Sequence, residues 1–515
     1  MKLKNHILLI ALLLPAFSAS AQYAEDALRF SQAEQGATAR FKALGNAQTA
    51  LGGDLSSLSG NPAGLGLFTK SDISLSLDFN NSNLTGSYFN QNSSAQLDKL
   101  GLTQLGAVWH SAVRKSRGSD LNTGWLSFNF GIGYNKTNNF NTTMSYAGVN
   151  SRSSFADFLA DNGNIVPFSE GDLTDMAYQN YLIDYDDSNS VYNGYFPTVD
   201  INGQQSNVVY RTGSQSEVNF AFGANYSNKF YIGASLGLTS LTYNADREFI
   251  ESGLTLRETD FPDYLTISNA LRNYLDAPYS LSYHSSQITE GSGVNAKLGF
   301  IYRPTGNIRI GATIATPTWY SIDDSYAEGL NTRYTLGNNS PSNPAPNLDD
   351  AVYDYNYNLR TPYKINGGLA LIFGQGLISG DVEYVDYASM HFSSNENSTT
   401  TSVNDDIRTN YQSAVNFRVG GEYKVNNLYL RAGYNTQGNP YKNSDFSSTA
   451  VSGGLGYRMN NFYIDATYVN STRKFTDKPY TISEDYLYFQ DTGSGDIASI
   501  KNNTNGVFLT IGTRF

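Results

Sequence analysis

The chain has 515 residues, no cysteine, 34 Lys and Arg against 46 Asp and Glu, and a formal net charge of −12. Disulfides and thiolate metal sites are therefore excluded, and the acidic balance argues against a nucleic-acid partner. The 38 Tyr, 28 Phe and 47 Gly favour a β-rich protein. The mean hydropathy of −0.38 is that of a soluble protein, but strands that expose alternate side chains to lipid hide their membrane signal from such an average.

The N-terminus has the features of an export signal. Lys2 and Lys4 precede an apolar run from Ile7 to Phe17, and residues 19–21, Ala-Ser-Ala, form a small-residue cleavage site. We expect residues 1–21 to be a signal peptide that is removed after export. No later run is long and apolar enough for a membrane-spanning helix.

Residues 22–68 form a segment rich in small residues, with short helices at most. Its last part, residues 59–65, reads Ser-Gly-Asn-Pro-Ala-Gly-Leu. Small residues allow a backbone to pack tightly inside a lumen. Asn61 and Pro62 are candidates for an inward-facing contact and hinge, although a tight turn before the first strand would explain the same two residues.

From about residue 73 onward the chain alternates apolar residues with small or polar ones. In residues 126–134 the even positions are Leu, Phe, Phe, Ile and Tyr, whereas the odd positions are Ser, Asn, Gly and Gly. Such a period of two predicts strands with one apolar face. The pattern recurs at residues 218–226, 230–238, 294–302, 308–314, 365–373, 377–387, 415–423, 428–434, 451–457, 462–468 and 507–515.

Short turns alternate with long polar segments between these strands. The short connections include Asn228-Lys229 and Gln375-Gly376. This asymmetry is typical of an outer-membrane barrel with periplasmic turns and extracellular loops. A secreted two-sheet sandwich is the alternative, but its solvent face would need charges where this chain has Gly, Ser, Thr and Asn. The predicted loops are residues 148–215, 245–289, 321–361, 389–412, 438–448 and 471–503.

We therefore predict an all-β, transmembrane antiparallel β-barrel over residues 69–515, in the outer membrane. The last strand ends on Phe515, which is typical of the signal read by the barrel-insertion machinery. A closed sheet satisfies every backbone group in hydrocarbon, so this strand should pair with the first one near residues 73–79.

Three segments resemble the FadL/TodX family, the outer-membrane transporters of long-chain fatty acids and other hydrophobic compounds. They are residues 59–65, residues 293–304 (Gly-Val-Asn-Ala-Lys-Leu-Gly-Phe-Ile-Tyr-Arg-Pro), and residues 361–364 followed by 381–387. The resemblance implies about fourteen strands around an N-terminal hatch, or plug, at residues 22–68. The alternation alone gives about twelve clear strands and two to four less regular ones between residues 80 and 147.

The resemblance also implies that loop helices capture a hydrophobic ligand first, and that the hatch shifts and opens a gap in the wall near a strand kink. Two loop segments have apolar residues at helical spacing, within residues 154–159 and 263–275. The same residues could simply pack the loops against one another. The candidate ligand-binding residues are Asn61, Pro62, Leu65, Phe155, Phe158, Leu159, Tyr264 and Leu271.

Catalytic and metal-binding patterns are weak, so we expect no enzyme, no cofactor and no metal site. The sequence Asp184-Tyr185-Asp186-Asp187 lacks the Gly and later Glu of a calcium loop, and we interpret it as a solvated acidic tip or a contact to divalent ions bridging lipopolysaccharide. The many Tyr leave a haem ligand possible. The histidines of the mature chain, in no recognisable motif, are His110, His284 and His391.

Two functions remain open on these grounds. The first is passive transport of hydrophobic small molecules, long-chain fatty acids among them. The second is a structural barrel that anchors a secretion or surface-attachment system, which would need no continuous apolar tunnel. A surface hydrolase is a weaker third option. The expected partners are outer-membrane lipids and lipopolysaccharide, a hydrophobic ligand, and the barrel-assembly machinery.

Overall fold

A computed structural model describes residues 17–34, 36–118, 120–166, 169–187, 193–337, 340–346, 348–483 and 497–515. Residues 1–16 of the predicted signal peptide lie outside the described residues, so its cleavage stays a prediction.

Fourteen antiparallel strands form one closed sheet, and four of them consist of two segments. The first seven are β1 Asp72–Tyr88, β2 Gln91–Ala112, β3 Trp125–Asn139 with Thr142–Asn150, β4 Gly203–Tyr226, β5 Phe230–Leu254, β6 Pro278–Tyr302, and β7 Ile308–Ala315 with Trp319–Leu336. The others are β8 Ala351–Arg360 with Lys364–Phe373, β9 Gly376–Asp386 with His391–Ser394, β10 Ser413–Val425, β11 Leu428–Gln437, β12 Ser447–Met459, β13 Phe462–Asp477 and β14 Ala498–Arg514.

The last strand closes the barrel against the first. Strands β1 and β14 pair without interruption from Asp72↔Arg514 to Ser87↔Ser499. The predicted barrel and its closure are therefore confirmed. The less regular stretch between residues 80 and 147 holds the end of β1, β2 and most of β3.

Alternation of side chains separates an apolar outer face from a polar lumen. In β1, Ile73 and Leu75 are 43% and 41% exposed, whereas Ser74 and Ser76 between them are buried. The exposed set repeats around the barrel as Leu, Ile, Val, Phe and Tyr. A face of this kind fits the hydrocarbon of a bilayer, because the strands of the closed sheet pair their backbone groups with one another.

The part of the chain that the structure describes also contains five α-helices: α1 Phe17–Ser31, α2 Ala39–Ala43, α3 Phe155–Ile165, α4 Leu173–Gln179 and α5 Asn397–Asn410. A small hairpin, Ile183–Asp186 with Gly194–Pro197, lies in the loop between β3 and β4. Within the described residues, none of the helices has the length and apolarity needed to span a membrane.

Several predicted loops are wrong in extent, because strands continue beyond the apolar alternation. Strands β5 and β6 stay paired as far as Leu254↔Pro278, so the predicted loop at 245–289 shrinks to residues 255–277. Strand β4 likewise begins at Gly203, inside the predicted loop 148–215. Backbone pairing persists outside hydrocarbon, whereas the apolar side chains that reveal a strand in the sequence are needed only within it.

Candidate functional site

Residues 22–68, called here the N-terminal segment, lie inside the barrel. The carboxylate of Asp381, which points inward from β9, accepts hydrogen bonds from the backbone N–H groups of Gln48 and Thr49 at 2.7 and 2.8 Å. The hydroxyl of Thr510 on β14 accepts from Ala39 N–H at 2.8 Å. Polar lumen-facing side chains therefore satisfy backbone groups of this segment that strands or helices leave unpaired.

Glycines of the barrel wall allow the segment to lie against the strands. A Cβ atom added at Gly311 would collide with the backbone of Thr49, and one at Gly433 with the backbone at Gly45. At Gly233 it would collide with Pro62. The small residues of the lumen face are thus explained by contact with backbone rather than by an open channel.

Asn61 joins the N-terminal segment to two strands. It is 3% exposed, and its amide Nδ2 donates to the carbonyls of Thr49 at 2.6 Å and of Phe300 on β6 at 3.3 Å. Its Oδ1 accepts from Ala63 N–H at 3.1 Å and so starts the short 3₁₀ helix Pro62–Leu67. Asn61 and Pro62 contact the wall, and their role as a hinge stays a prediction.

Leu65 is completely buried. It packs in a cluster with Leu58, Phe68 and Val108, and Asn129 of β3 donates to its carbonyl at 2.5 Å. In this arrangement Leu65 fixes the end of the N-terminal segment and leaves no surface open to a ligand.

Helix α3 confirms the helical spacing predicted for Phe155, Phe158 and Leu159. Ser154 caps its first turn, and the buried Glu251 of β5 accepts from Phe155 N–H at 3.0 Å. Phe155 and Leu159 are 1% and 0% exposed, within a cluster that includes Tyr283 and Tyr480. The aromatic face of α3 is therefore covered by the loops in this conformation, and its role in capture stays a prediction.

The helix predicted over residues 263–275 is wrong, since only Leu271–Tyr274 forms a short 3₁₀ turn. Tyr264 is 44% exposed whereas Leu271 is fully buried, so the two do not share a face. The amides that a helix would pair internally are used elsewhere. The N–H groups of Thr266 and Ser268 donate to the carboxylates of Asp186 and Asp184 at 3.0 and 2.9 Å.

The same contacts correct the interpretation of Asp184-Tyr185-Asp186-Asp187 as a solvated acidic tip. Asp184 and Asp186 are 3% and 1% exposed and bind backbone amides, and only Asp187 and Tyr185 face solvent. Among the described residues no group of three or more His, Asp or Glu is placed to hold a metal ion. His110 on β2 is hydrogen-bonded to Asn129 at 2.8 Å. His284 lies on another strand, β6, and pairs with Asp350 at 3.0 Å.

A gap interrupts the barrel wall between β2 and β3. These strands pair only from Gln104↔Asn135 to Ala112↔Ser127. Above this point β2 keeps β1 as its partner, up to Tyr88↔Gln91, whereas β3 pairs with β4 alone. Strand pairing is therefore interrupted between residues 91–103 of β2 and residues 136–142 of β3, and the next residues of β3, Thr142–Asn150, lie close to both β2 and β1 without pairing with them.

Beyond the gap, the upper part of β3 bends into the lumen. A Cβ atom at Gly86, on the inner face of β1, would come within 2.8 Å of the Ser145 carbonyl. Tyr146 packs against Tyr88 with ring centroids 5.2 Å apart. The N-terminal segment replaces the missing strand partner, since Glu34 N–H donates to the Thr137 carbonyl at 2.8 Å. The gap is thus flanked by the predicted hatch.

A cavity of about 370 Å³ lies behind the gap. Both of its edges, the N-terminal segment and strands β11 to β14 contribute to the lining. Leu97, Phe140, Phe475 and Phe508 provide apolar surface, and asparagines such as Asn138 provide polar surface. The space is therefore amphipathic.

The charge of the cavity lining is predominantly positive. Lys136 pairs with Asp78 at 3.5 Å and Lys42 with Glu34 at 3.2 Å. The positive charge of Lys42 lowers the pKa of the Glu34 carboxyl. The remaining cations of the lining are Arg29, Lys99, Arg211 and Arg473.

Among these cations, Arg211 is distinguished by the partners of its side chain. Its Nε atom is buried and has no hydrogen-bond partner in the described part of the chain. The guanidinium is hydrogen-bonded to the Tyr243 side chain, and among the described residues no carboxylate forms an ion pair with it. A buried donor without a partner costs stability unless a ligand or water supplies the acceptor.

The residues of the gap and cavity were absent from the sequence-derived candidates. They alternate weakly, because residues 91–102 are exposed or half-buried on both faces, and the bent part of β3 packs against both β1 and β2 without pairing with either. The only available signal was the irregular pattern between residues 80 and 147.

No protein-family model matches the sequence, and no curated protein matches it. Solved structures do. A Pseudomonas aeruginosa FadL homologue superimposes with a TM-score of 0.54 at 13% identity, covering 94% of this chain and 98% of that one. The Pseudomonas putida toluene transporter TodX gives a TM-score of 0.50 at 14% identity, covering 93% of this chain and 99% of that one. The fold implied by the sequence resemblance to FadL/TodX is thereby confirmed over nearly the whole chain.

Proposed function

We propose that this chain lets hydrophobic small molecules cross the outer membrane passively. The observation that carries this proposal is the gap in strand pairing between β2 and β3, both edges of which line the lumen cavity. A molecule dissolved in lipid can pass through such an opening without entering water. An anchoring barrel would have no need of an interrupted wall, so the gap favours transport over a structural role.

The N-terminal segment is the proposed gate. It lines the cavity through residues such as Ala37, Lys42 and Asn46 and fills the lumen beyond it. Passage toward the short-turn rim requires part of this segment to move. Its contacts with the wall are mainly hydrogen bonds and backbone packing, such as those of Asn61 and Asp381, which a shift of a few ångströms can exchange without an energy source.

The cavity best suits an amphipathic ligand with an anionic head, such as a long-chain fatty acid. Phe140 and Phe508 offer apolar contact for a chain, and the guanidinium of Arg211, which lines the cavity without a carboxylate partner, offers a charge-assisted hydrogen bond to a carboxylate. The similarity of the TodX fold is compatible with neutral ligands as well, so the charge preference is open to direct test.

We expect Arg211→Gln to weaken binding of a fatty acid by about ten- to a hundredfold, because hydrogen bonds to charged groups contribute about 1.5 to 3 kcal/mol. Binding of a neutral hydrocarbon of similar length should change little. Binding of tritiated palmitate and of tritiated hexadecane to the purified barrel would measure both effects. Arg333→Gln is the matched control, since Arg333 is exposed on β7 and absent from the cavity. Unchanged palmitate binding in Arg211→Gln would contradict the proposed ligand class.

A further inference from the structure

Basic side chains cluster on three neighbouring connections at the short-turn rim. The connections are β2–β3, β4–β5 and β6–β7, and the cluster, called here the basic arc, consists of Arg114, Lys115, Arg117, Lys229 and Arg303. All five side chains are exposed or half-buried. A rim of short turns faces the periplasm in an outer-membrane barrel.

The three connections are held together by backbone hydrogen bonds. Ser227 N–H donates to the Gly124 carbonyl at 2.8 Å, and Arg303 N–H donates to the Lys229 carbonyl at 2.8 Å. The basic arc is therefore continuous along the rim rather than a set of independent charges.

The charges of the basic arc lack acidic partners. No ion pair between any of them and a carboxylate occurs in the described ranges. The Nζ atom of Lys115 donates to the backbone carbonyl of Asp120 at 2.8 Å and thus keeps its charge uncompensated. Local positive potential of this kind attracts phosphate.

Aromatic rings lie directly beside the basic arc at the strand ends. Trp125 and Tyr226 have ring centroids 5.2 Å apart, and Phe230 and Tyr302 have centroids 4.8 Å apart. Trp and Tyr rings concentrate at the level of lipid head groups. The basic arc therefore sits at the depth of the phosphates of the inner leaflet.

A groove of about 650 Å³ crosses the lipid-facing surface of β2 to β5 above these rings. Its sides are Trp109, Phe130, Phe220 and Phe222, and the small side chain of Ala234 leaves space between them. Phe222 stands opposite both Phe130 and Ala234 in the strand register. It is four residues from Tyr226 at the rim, or about 13 Å along the strand, which is comparable to the hydrocarbon thickness of one leaflet.

We propose that the basic arc and this groove together bind an anionic phospholipid of the inner leaflet, with phosphate on the arc and an acyl chain in the groove. The two features are continuous, and their spacing and polarity match the two ends of one lipid. Lipopolysaccharide is excluded as the occupant by its place in the opposite leaflet. This lipid site requires that the short-turn rim faces the periplasm, and it is independent of what the lumen transports.

Native mass spectrometry of the full barrel, supplied with equal amounts of phosphatidylglycerol and phosphatidylcholine of identical chains, tests the site. The wild type should retain phosphatidylglycerol about tenfold more than phosphatidylcholine. Combined substitution of the basic arc by Gln should abolish that preference. The matched control replaces five basic residues of the opposite loops, Arg152, Arg257, Arg272, Arg408 and Lys442, by Gln and should keep it.

The groove is tested separately by Ala234→Leu, which fills it without adding charge, against Ala432→Leu on the lipid-facing side of β11. Only Ala234→Leu should lower retention of phosphatidylglycerol, and heat-modifiable migration on gels shows that each variant is folded. Equal retention in these two variants would overturn the proposal. A variant without the charges of the basic arc that still prefers phosphatidylglycerol would also overturn it. The same holds if an acidic periplasmic protein binds the barrel, and its binding requires the basic arc but is unaffected by Ala234→Leu.

Discussion

Gly311→Val should displace the N-terminal segment and make the barrel leak. Gly311 faces the lumen on β7, and an added side chain would enter the space occupied by the backbone of Thr49 and Ala50. That backbone carries the hydrogen bonds to Asp381 and Asn61. Overpacking costs about 1 to 3 kcal/mol, which shifts the population of the displaced state by about ten- to a hundredfold. Single-channel conductance in planar bilayers, and sensitivity of cells to large antibiotics, would both rise.

Gly367→Val provides the control for this substitution. Gly367 lies on the adjacent strand β8 opposite Ala312, and a Cβ atom there would meet nothing within 4 Å. Valine should therefore be tolerated, with wild-type conductance. If both variants conduct alike while remaining heat-modifiable on gels, the N-terminal segment does not act as the barrier.

Filling the cavity behind the gap should stop uptake. Leu97 and Thr103 line this cavity from β2, and the double substitution L97W/T103W would replace empty space by two indole rings. The expected result is a fall of about tenfold or more in the initial rate of uptake, because a ligand pocket that is mostly filled loses the contact area on which binding depends. Radiolabelled palmitate taken up by cells that lack other fatty-acid channels would measure it.

Leu100→Trp is the companion variant, since Leu100 lies on the same strand, is 72% exposed and is absent from the cavity lining. It adds equal bulk to the lipid-facing side and should leave uptake unchanged. Normal uptake by the L97W/T103W barrel would show that ligands take another route, and would return the anchoring role to consideration.

The two tests separate the parts of the proposed pathway. The cavity variant acts on entry from the membrane, whereas Gly311→Val acts on the barrier between the lumen and the periplasm. A blocked entrance together with a leaky barrier is the combination expected of a gated channel. Their effects should be independent, because Gly311 of β7 lies against Thr49 and Ala50, and neither of these residues lines the cavity to which Leu97 of β2 contributes.

The alternation of side chains was sufficient to predict the barrel. A strand in hydrocarbon must place an apolar residue at every second position, as Leu126 to Tyr134 does, and the regular change between short turns and long loops separates a barrel from a two-sheet sandwich. The lumen could also be predicted to hold a small-residue segment, since Asn-Pro-Ala-Gly-Leu at 61–65 and the Gly residues of the wall are both of minimal size. These properties depend on local sequence alone.

The gap, the cavity and the loop conformations depended on the tertiary structure. Above Asn135, β3 no longer pairs with β2. Two contacts hold it in this position: the packing of Tyr146 on Tyr88 and the hydrogen bond from Glu34 N–H to the Thr137 carbonyl. Both join residues that are distant in sequence. The helix predicted over residues 263–275 does not form, because the carboxylates of Asp184 and Asp186, some eighty residues earlier in the chain, accept hydrogen bonds from backbone amides of this loop. The periodicity of a sequence shows which face of a strand is apolar. Competition between distant partners for one backbone group does not alter that periodicity, so it cannot be predicted from it.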